Sequence, residues 1–177
     1  HMIQRGHRRI AIITGALDLQ SGRERLRGYE EALREADISV DPRLVLEGNF
    51  RFDSGYRLGK QIVKQPARPT AVFVSNGVMT VGLLKAFEEL DISCPGDMAL
   101  ATFDDLALDS PFHPHLTTVV QPSYEMGARA ATMLMDRIEG RLSEEPFIVR
   151  ISPTLIIRES TEGHSVKRSK RMAARKA

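Results

Sequence analysis

The sequence R-I-A-I-I-T at residues 9–14 is a short apolar run rich in β-branched side chains, and Gly15 and a polar loop follow it. Such a run, bounded by turn-forming residues, is typical of a buried β-strand. A stretch with helical spacing comes next, and Ser21 and Glu24 within it match the S-x-x-E capping box, which marks a helix N-terminus. The chain is therefore predicted to open with a strand, a loop and a helix.

The same alternation continues through the next part of the chain. Residues 44–46, 71–74 and 98–103 are predicted strands, and apolar residues at 3.6-residue spacing after the first two of these predict helices. Asp53 or Ser54 is expected to cap the helix that follows residues 44–46. Repeated alternation favours an α/β fold with a parallel, doubly wound sheet flanked by helices, because parallel neighbours need a crossover connection.

The pattern changes in the last part of the chain. The predicted elements there are a strand at 116–120, a helix that Ser123 caps and Gly140 ends, and two short strands at 147–151 and 154–157. From this change we divide the chain into a lobe of alternating elements at 1–116, a crossover strand, return helix and final strands at 117–160, and a disordered basic tail at 161–177.

The composition is that of an ordinary soluble globular domain, with 42% apolar and 27% charged residues in a chain of 177. No stretch approaches the roughly 18 apolar residues of a transmembrane helix, and residues 1–6 lack the apolar core of a signal peptide, so a cytoplasmic protein without a membrane partner is expected. Cys94 is the only cysteine, which excludes an intrachain disulfide and a cysteine-based zinc cluster. His1 and Met2 look like the remnant of an expression tag, so the native chain is expected to begin upstream.

The net charge of +2 is unevenly distributed. Six basic residues and no acidic residue follow His164. Residues 1–163 therefore carry the other 19 of the 25 basic residues and all 23 acidic residues, which makes this part of the chain mildly acidic. A basic tail can attract phosphate, but a solvated tail is the simpler interpretation, and we do not predict DNA recognition from it.

Ligands of open α/β sheets bind in the crevice at the carboxyl ends of the strands. The residues predicted to follow the strands at that edge are Ser21 and Arg25 after the first, Phe50 after the second, Asn76 after the third and Asp104 after the fourth. A guanidinium, a carboxamide and a carboxylate suit a ligand with many hydroxyls, because hydroxyls both donate and accept hydrogen bonds. An aromatic ring could cover the apolar face of a sugar or stack on a base.

Each of these residues also has a structural interpretation. Arg25 could be a solvated side chain in the first helical turn, Asn76 and Asp104 could be helix caps or turn formers, and Phe50 could belong to the core. Their common placement at one edge of the sheet favours the binding interpretation.

No enzyme motif is found. The chain contains no G-x-S-x-G, H-E-x-x-H, G-x-x-x-x-G-K-[ST] or G-x-G-x-x-G motif, so we predict neither an enzyme nor a cofactor. His113 and His115 flank a proline without a third ligand nearby, so no metal site is predicted. Asp104 and Asp105 could form an acid/base pair, but neighbours on an extended segment point to opposite sides, so one aspartate facing the crevice is the simpler interpretation.

Five motifs occur in an order and spacing that resemble one protein family. They are G-H-R-R-I-A-I-I-T-G at 6–15, R-x-R-L-R-G-Y at 23–29, V-S-N-G-V-M-T-V-G at 74–82, T-F-D-D at 102–105 and L-T-T-V-V-Q-P at 116–122. With Met126-Gly127 and P-x-L-I-I-R-E-S at 153–160, the chain resembles the lactose/galactose-repressor (LacI/GalR) family of bacterial transcription regulators from about Gly6 to Glu159.

The resemblance implies the effector-binding core of a repressor, shaped like a periplasmic sugar-binding protein and usually dimeric. It places Arg25, Asn76 and Asp104 on effector-contacting positions, Ser21, Phe50 and Gln121 on more variable ones, and Phe112 at the dimer interface. Gly77 departs from the family pattern, in which an aspartate commonly follows the asparagine, and this puts the polar network at that corner in doubt.

The resemblance further implies that a helix-turn-helix and most of a first lobe precede this chain. The expected partners are then a sugar-like effector and a second copy, with DNA bound only through the absent helix-turn-helix. The return helix at 123–139 is expected to expose an apolar face or to bury it against a second copy. A transport-associated sugar-binding protein of the same fold is the main alternative, and an enzyme or a dimerising module are the others.

Overall fold

The computed structural model describes residues 1–104, 114–143 and 145–162. Its strands are β1 (Ile10–Thr14), β2 (Val45–Glu47), β3 (Ala71–Val74), β4 (Ala99–Phe103), β5 (Thr117–Val120) and β6 (Thr154–Ile156). Its α-helices are α1 (Gln20–Glu35), α2 (Phe52–Val63), α3 (Gly77–Glu89) and α4 (Ser123–Ile138), and short 3-10 helices cover Pro42–Leu44 and Glu159–Thr161. Phe112, Asp105, His113 and residues 163–177 of the basic tail lie outside the described residues, so the interpretations placed on them stay predictions. Thr161, which the predicted division placed in the tail, is buried at the end of the second 3-10 helix.

The six strands form one sheet in the order β2-β1-β3-β4-β5-β6. The first five run parallel, which confirms the predicted parallel sheet, while β6 pairs antiparallel with β5 at the edge. The strand order reverses at β1, because β2 lies on one side of it and β3 on the other. Such a reversal opens a crevice above the carboxyl ends of the two central strands.

Side chains of the buried strands alternate between two apolar layers. Ala11 and Ile13 of β1 pack in the cluster that contains the apolar residues of α2 and α3, whereas Ile10 and Ile12 pack with Tyr29 and Leu33 of α1. Helices therefore cover both faces of the sheet. This packing of helices on both faces fixes which side chains of each strand point to which face.

Glycines allow α2 and α3 to lie against each other. A Cβ on Gly55 would come within 2.0 Å of the Met79 carbonyl oxygen, and one on Gly82 within 2.2 Å of the Phe52 carbonyl oxygen. Because neither backbone atom can move alone, any larger residue would separate the helices. The pair holds the loops after β2 and β3 at a fixed distance.

The predicted helix caps are wrong for three helices. Leu19, Arg51 and Pro122 occupy the N-cap positions of α1, α2 and α4, and none makes a side-chain cap hydrogen bond. Ser21 therefore lies inside the first turn of α1, where Arg23 instead donates to the carbonyl oxygens of Leu17 and Asp18. Contacts such as these between a helix and the preceding loop influence where the helix begins, and they cannot be predicted from a local capping pattern.

The last part of the chain follows the prediction in part. α4 and β6 are present, but residues 147–151 are not a strand. Ser160 anchors the end of the described chain, since its buried hydroxyl donates to the Leu100 carbonyl oxygen at 2.6 Å and accepts from the Thr117 N–H at 2.8 Å. This hydroxyl therefore links β4 and β5 near the N-terminal ends of both strands.

The return helix α4 has no buried residue. Tyr124, Leu134 and Ile138 are 91%, 60% and 70% exposed, and an apolar groove between α4 and the following segment is lined by Met126, Ala130, Phe147 and Val149 among others. The predicted exposed apolar face of the return helix is thus confirmed for the single chain. Within the described ranges, no helix is both long and apolar enough to cross a bilayer.

Candidate ligand-binding site

Five of the six predicted binding residues lie at the carboxyl edge of the sheet. Phe50 contacts Arg25 and Asn76, Gln121 contacts Asp104, and the charges of Arg25 and Asp104 interact. The five residues come from the loops or helices that follow five different parallel strands, namely Arg25 after β1, Phe50 after β2, Asn76 after β3, Asp104 after β4 and Gln121 after β5. The parallel direction of these strands is the reason that residues far apart in sequence meet.

Arg25 is half-buried and held in one place, so it is not a freely solvated side chain. Its Nη1 donates a hydrogen bond of 2.6 Å to the carbonyl oxygen of Ser75. Its guanidinium carbon lies 3.8 Å from the ring centroid of Phe103 and 5.8 Å from that of Phe50. Burial lowers the pKa of Arg25, and the negative charge of Asp104 opposes this shift. The group stays cationic at neutral pH because an arginine pKa is far above 7.

Asp104 is held by three hydrogen bonds, two from β5 and one from the residue that follows it. Its N–H donates to the Val119 carbonyl oxygen at 3.0 Å, and its carbonyl oxygen accepts from the Thr118 hydroxyl at 2.9 Å. The side-chain amide of Gln121 donates to its Oδ1. The backbone has φ of +72°, a left-handed conformation that aspartate tolerates better than most residues. Asp104 is thus both a turn former and a carboxylate close enough to Arg25 to interact with it.

Asn76 serves as a helix cap, as its structural interpretation predicts. Its Oδ1 accepts from the Met79 N–H at 3.0 Å at the start of α3, and its Nδ2 donates to the Phe50 carbonyl oxygen at 3.1 Å. One amide hydrogen and one lone pair are left for a ligand. Asn76 therefore joins the loop after β2 to α3 and keeps limited capacity to bind.

Phe50 lies between the core and the crevice. It packs against the cluster beneath α2 and α3, and its backbone has a left-handed φ of +64°. The tip of its ring touches Gly15, where an added Cβ would lie 1.7 Å from Cζ. Only glycine at position 15 leaves room for the ring in this position.

Ser21 stands apart from the others. It is exposed on α1, one helical turn before Arg25, which places the two on the same helix face. Among the described residues, no side-chain hydrogen bond joins Ser21 to the other five.

Three residues of the site were not predicted. Phe103 forms the surface under Arg25, Ser75 accepts its hydrogen bond, and Thr118 orients Asp104. The alternation of β4 was a usable signal for Phe103, because it puts this side chain on the sheet face that α1 covers. Ser75 acts through its backbone and left no signal, and its own hydroxyl is buried without a hydrogen-bond partner.

The chemistry that the site offers can be stated for its described residues. The described part of the chain contains no group of three His, Cys, Asp or Glu side chains that could hold a metal ion. Cys94 lies outside the site, and burial raises the pKa of its thiol to about 12, so it is a poor nucleophile. Hydrogen bonding, charge and ring contact are therefore what this arrangement offers a ligand.

Comparison with known proteins gives a consistent result. Residues 1–161 match the family model described as a periplasmic binding protein-like domain. The HTH-type transcriptional repressor PurR of Escherichia coli O157:H7 is 41% identical over 160 residues, which are 90% of this chain and 47% of the repressor. The chain thus spans about half the length of the curated relatives it matches.

Solved structures agree. The transcriptional regulator CelR in its complex with cellobiose superposes with a TM-score of 0.84 at 36% identity, over 90% of this chain and 48% of CelR. The transcription regulator CcpA of Lactococcus lactis superposes with a TM-score of 0.81 at 32% identity, over 91% of this chain and 58% of that structure.

Proposed function

We propose that this chain, which belongs to the periplasmic binding protein-like domain family and has LacI-family repressors as its homologues, senses a small hydroxyl-rich molecule for a transcription repressor. The observation that carries the proposal is that Arg25, which follows β1 where the strand order reverses, lies over an aromatic ring and close enough to Asp104 for their charges to interact. Opposite charges beside an aromatic ring are the groups that bind and orient a polar ring compound.

The chemistry favours a sugar, a polyol or a nucleoside. Arg25 uses one N–H on Ser75 and keeps the others, and Asp104 keeps its second carboxylate oxygen. Charge-assisted hydrogen bonds contribute about 1.5–3 kcal/mol each, so a few of them with ring burial support micromolar affinity, about −8 kcal/mol. The cellobiose bound by CelR is a compound of this class and supports a sugar as the first choice.

In the full-length protein we propose a homodimer that binds DNA through a helix-turn-helix outside this chain and acts in the cytoplasm. Effector binding would favour one arrangement of the lobes, and a coupling of about 1–3 kcal/mol is enough to change operator affinity up to a hundredfold. The transport alternative is not favoured, because the matched relatives are transcription regulators. The same relatives argue against an enzyme.

Calorimetric titration of the full-length protein with D-glucose, D-ribose, cellobiose, myo-inositol and adenosine tests the proposal. We expect one of these classes to bind with micromolar affinity and Arg25→Ala to weaken that binding at least tenfold, since it removes a charged donor. Arg34→Ala is the matched control, because Arg34 lies exposed in the last turn of the same helix. The proposal fails if none of the compounds binds, or if Arg25→Ala binds as tightly as Arg34→Ala.

A further inference from the structure

The guanidinium of Arg25 lies over the ring of Phe103, a residue to which the sequence motifs assign no role. Its carbon is 3.8 Å from the Phe103 ring centroid, a distance of direct contact, whereas the Phe50 ring centroid is 5.8 Å away. Cations are attracted to the negative face of an aromatic ring, and the attraction strengthens when water is excluded. Burial has already removed part of the water from Arg25.

The position of Phe103 is fixed by the sheet. Its neighbour Thr102 points to the opposite face and shares a buried hydrogen bond of 2.7 Å with Thr80 of α3. Since side chains alternate along a strand, Phe103 must face α1, from which Arg25 extends. The next residue, Asp104, supplies the carboxylate of the site, so two consecutive residues provide a ring under the cation and a negative charge beside it.

We infer that Phe103 is a positioning residue that, with the Ser75 carbonyl oxygen, locks the guanidinium of Arg25 in its ligand-binding orientation before any ligand arrives. An unrestrained arginine side chain has many rotamers and would lose this freedom on binding. A ring below and an acceptor at one Nη leave the remaining N–H groups directed away from both. The value of this arrangement for sensing rests on the proposed function, whereas the arrangement itself does not.

The experiment contains no effector, so its failure is distinguishable from failure of the proposed function. The reaction of arginines with phenylglyoxal is followed by peptide mass spectrometry, with the exposed Arg34 as internal reference. A second measurement records the Nε–Hε resonance of Arg25 by NMR, which a ring this close displaces from the position of solvated arginines. Both use the 177-residue chain as it stands.

Phe103→Leu is expected to raise the reaction rate of Arg25 relative to Arg34 about three- to tenfold and to return its resonance to the solvated range. Phe103→Tyr and Phe103→Trp should keep the wild-type values, because both restore a ring face. Pentafluorophenylalanine at position 103 keeps the shape of the ring but reverses the charge on its face, and should raise the rate as Leu does.

Phe73→Leu is the matched control. Phe73 is a half-buried phenylalanine on the neighbouring strand β3 and the same sheet face, packed in the layer beneath α1. We expect this variant to leave Arg25 unchanged. The inference is overturned if Phe103→Leu and the fluorinated ring leave Arg25 as it is in the wild type, or if Phe73→Leu changes it equally.

Discussion

The side-chain amide of Gln121 donates a hydrogen bond to Oδ1 of Asp104, which joins the residue after β5 to the residue after β4. Gln121→Ala should therefore lower the free energy of unfolding by about 1.5–3 kcal/mol, because the lost bond has a charged acceptor. Gln65→Ala removes a bond of 2.8 Å to the neutral carbonyl oxygen of Arg43 and should cost less. Urea denaturation measures both. An equal cost would contradict a charge-assisted bond at Asp104.

Gly15 determines where the Phe50 ring can lie. Gly15→Ala should lower stability by about 1–3 kcal/mol through overpacking and should displace the ring from its place beside Arg25. Gly28→Ala is the control, since an added Cβ there meets nothing within 4 Å on the exposed face of α1 and should be neutral or stabilising by up to about 1 kcal/mol. Thermal melts and aromatic NMR resonances of both variants check this. An undisturbed Phe50 in Gly15→Ala would show that the contact is soft.

Two buried serines differ in their hydrogen bonds and should respond differently to alanine. Ser160→Ala leaves the Leu100 carbonyl oxygen and the Thr117 N–H without their partner and should cost about 1–3 kcal/mol. Ser75→Ala removes a buried hydroxyl that has no partner and should be neutral or stabilising. Chemical denaturation gives both values. A large loss for Ser75→Ala would mean that its hydroxyl makes an important interaction in solution.

Tyr29 makes the stability of the fold sensitive to alkaline pH. Burial raises its pKa to about 12, and its hydroxyl donates to the Ile10 carbonyl oxygen at 2.8 Å. Because the unfolded chain loses this proton near pH 10 and the folded chain only near pH 12, the contribution is complete below pH 10 and is lost as pH rises toward 12.

Tyr29→Phe should therefore be less stable by about 1 kcal/mol at pH 7, yet lose less stability than wild type between pH 9 and pH 11. Melting temperatures across that range measure the difference. Tyr124→Phe, at a side chain that is 91% exposed, should follow the wild-type curve. Parallel curves for Tyr29→Phe and wild type would contradict the raised pKa.

The exposed apolar face of α4 should make the isolated chain bind the dye ANS or self-associate. Replacing Leu134 and Ile138 together by Gln should reduce dye binding and association without lowering the melting temperature, since neither side chain is buried. Analytical ultracentrifugation with dye fluorescence tests this. A monomer that binds no dye would contradict it.

Local pattern was enough to predict much of the fold. The strand at residues 71–74 is found with the predicted bounds, and the bounds of the other parallel strands differ from the predicted ones by one residue at one or both ends, because buried strands are continuous apolar runs. The segment at 147–151 has the same apolar character but forms no strand. Apolar residues alone do not provide a pairing partner, and the division into three parts likewise stays a prediction.

The site was predicted in position but not in detail. The rule that ligands bind beyond the strand ends selected Arg25, Phe50, Asn76 and Asp104, and four such loops do converge. It did not reveal that the side chain of Asn76 caps α3 with its oxygen and bonds the Phe50 carbonyl oxygen with its amide group. Nor did it reveal that Ser21 lies apart from the other site residues. The assignment of these residues to ligand binding stays a prediction.

The sequence alone determined which segments are strands and helices and which polar residues follow them, because hydrophobic period and turn chemistry act over a few residues. Only the tertiary structure decided that β1 lies between β2 and β3, that Phe103 lies under Arg25 and that Gln121 holds Asp104. These contacts depend on strand order and on packing of both sheet faces at once, and neither is encoded in any single stretch of the chain.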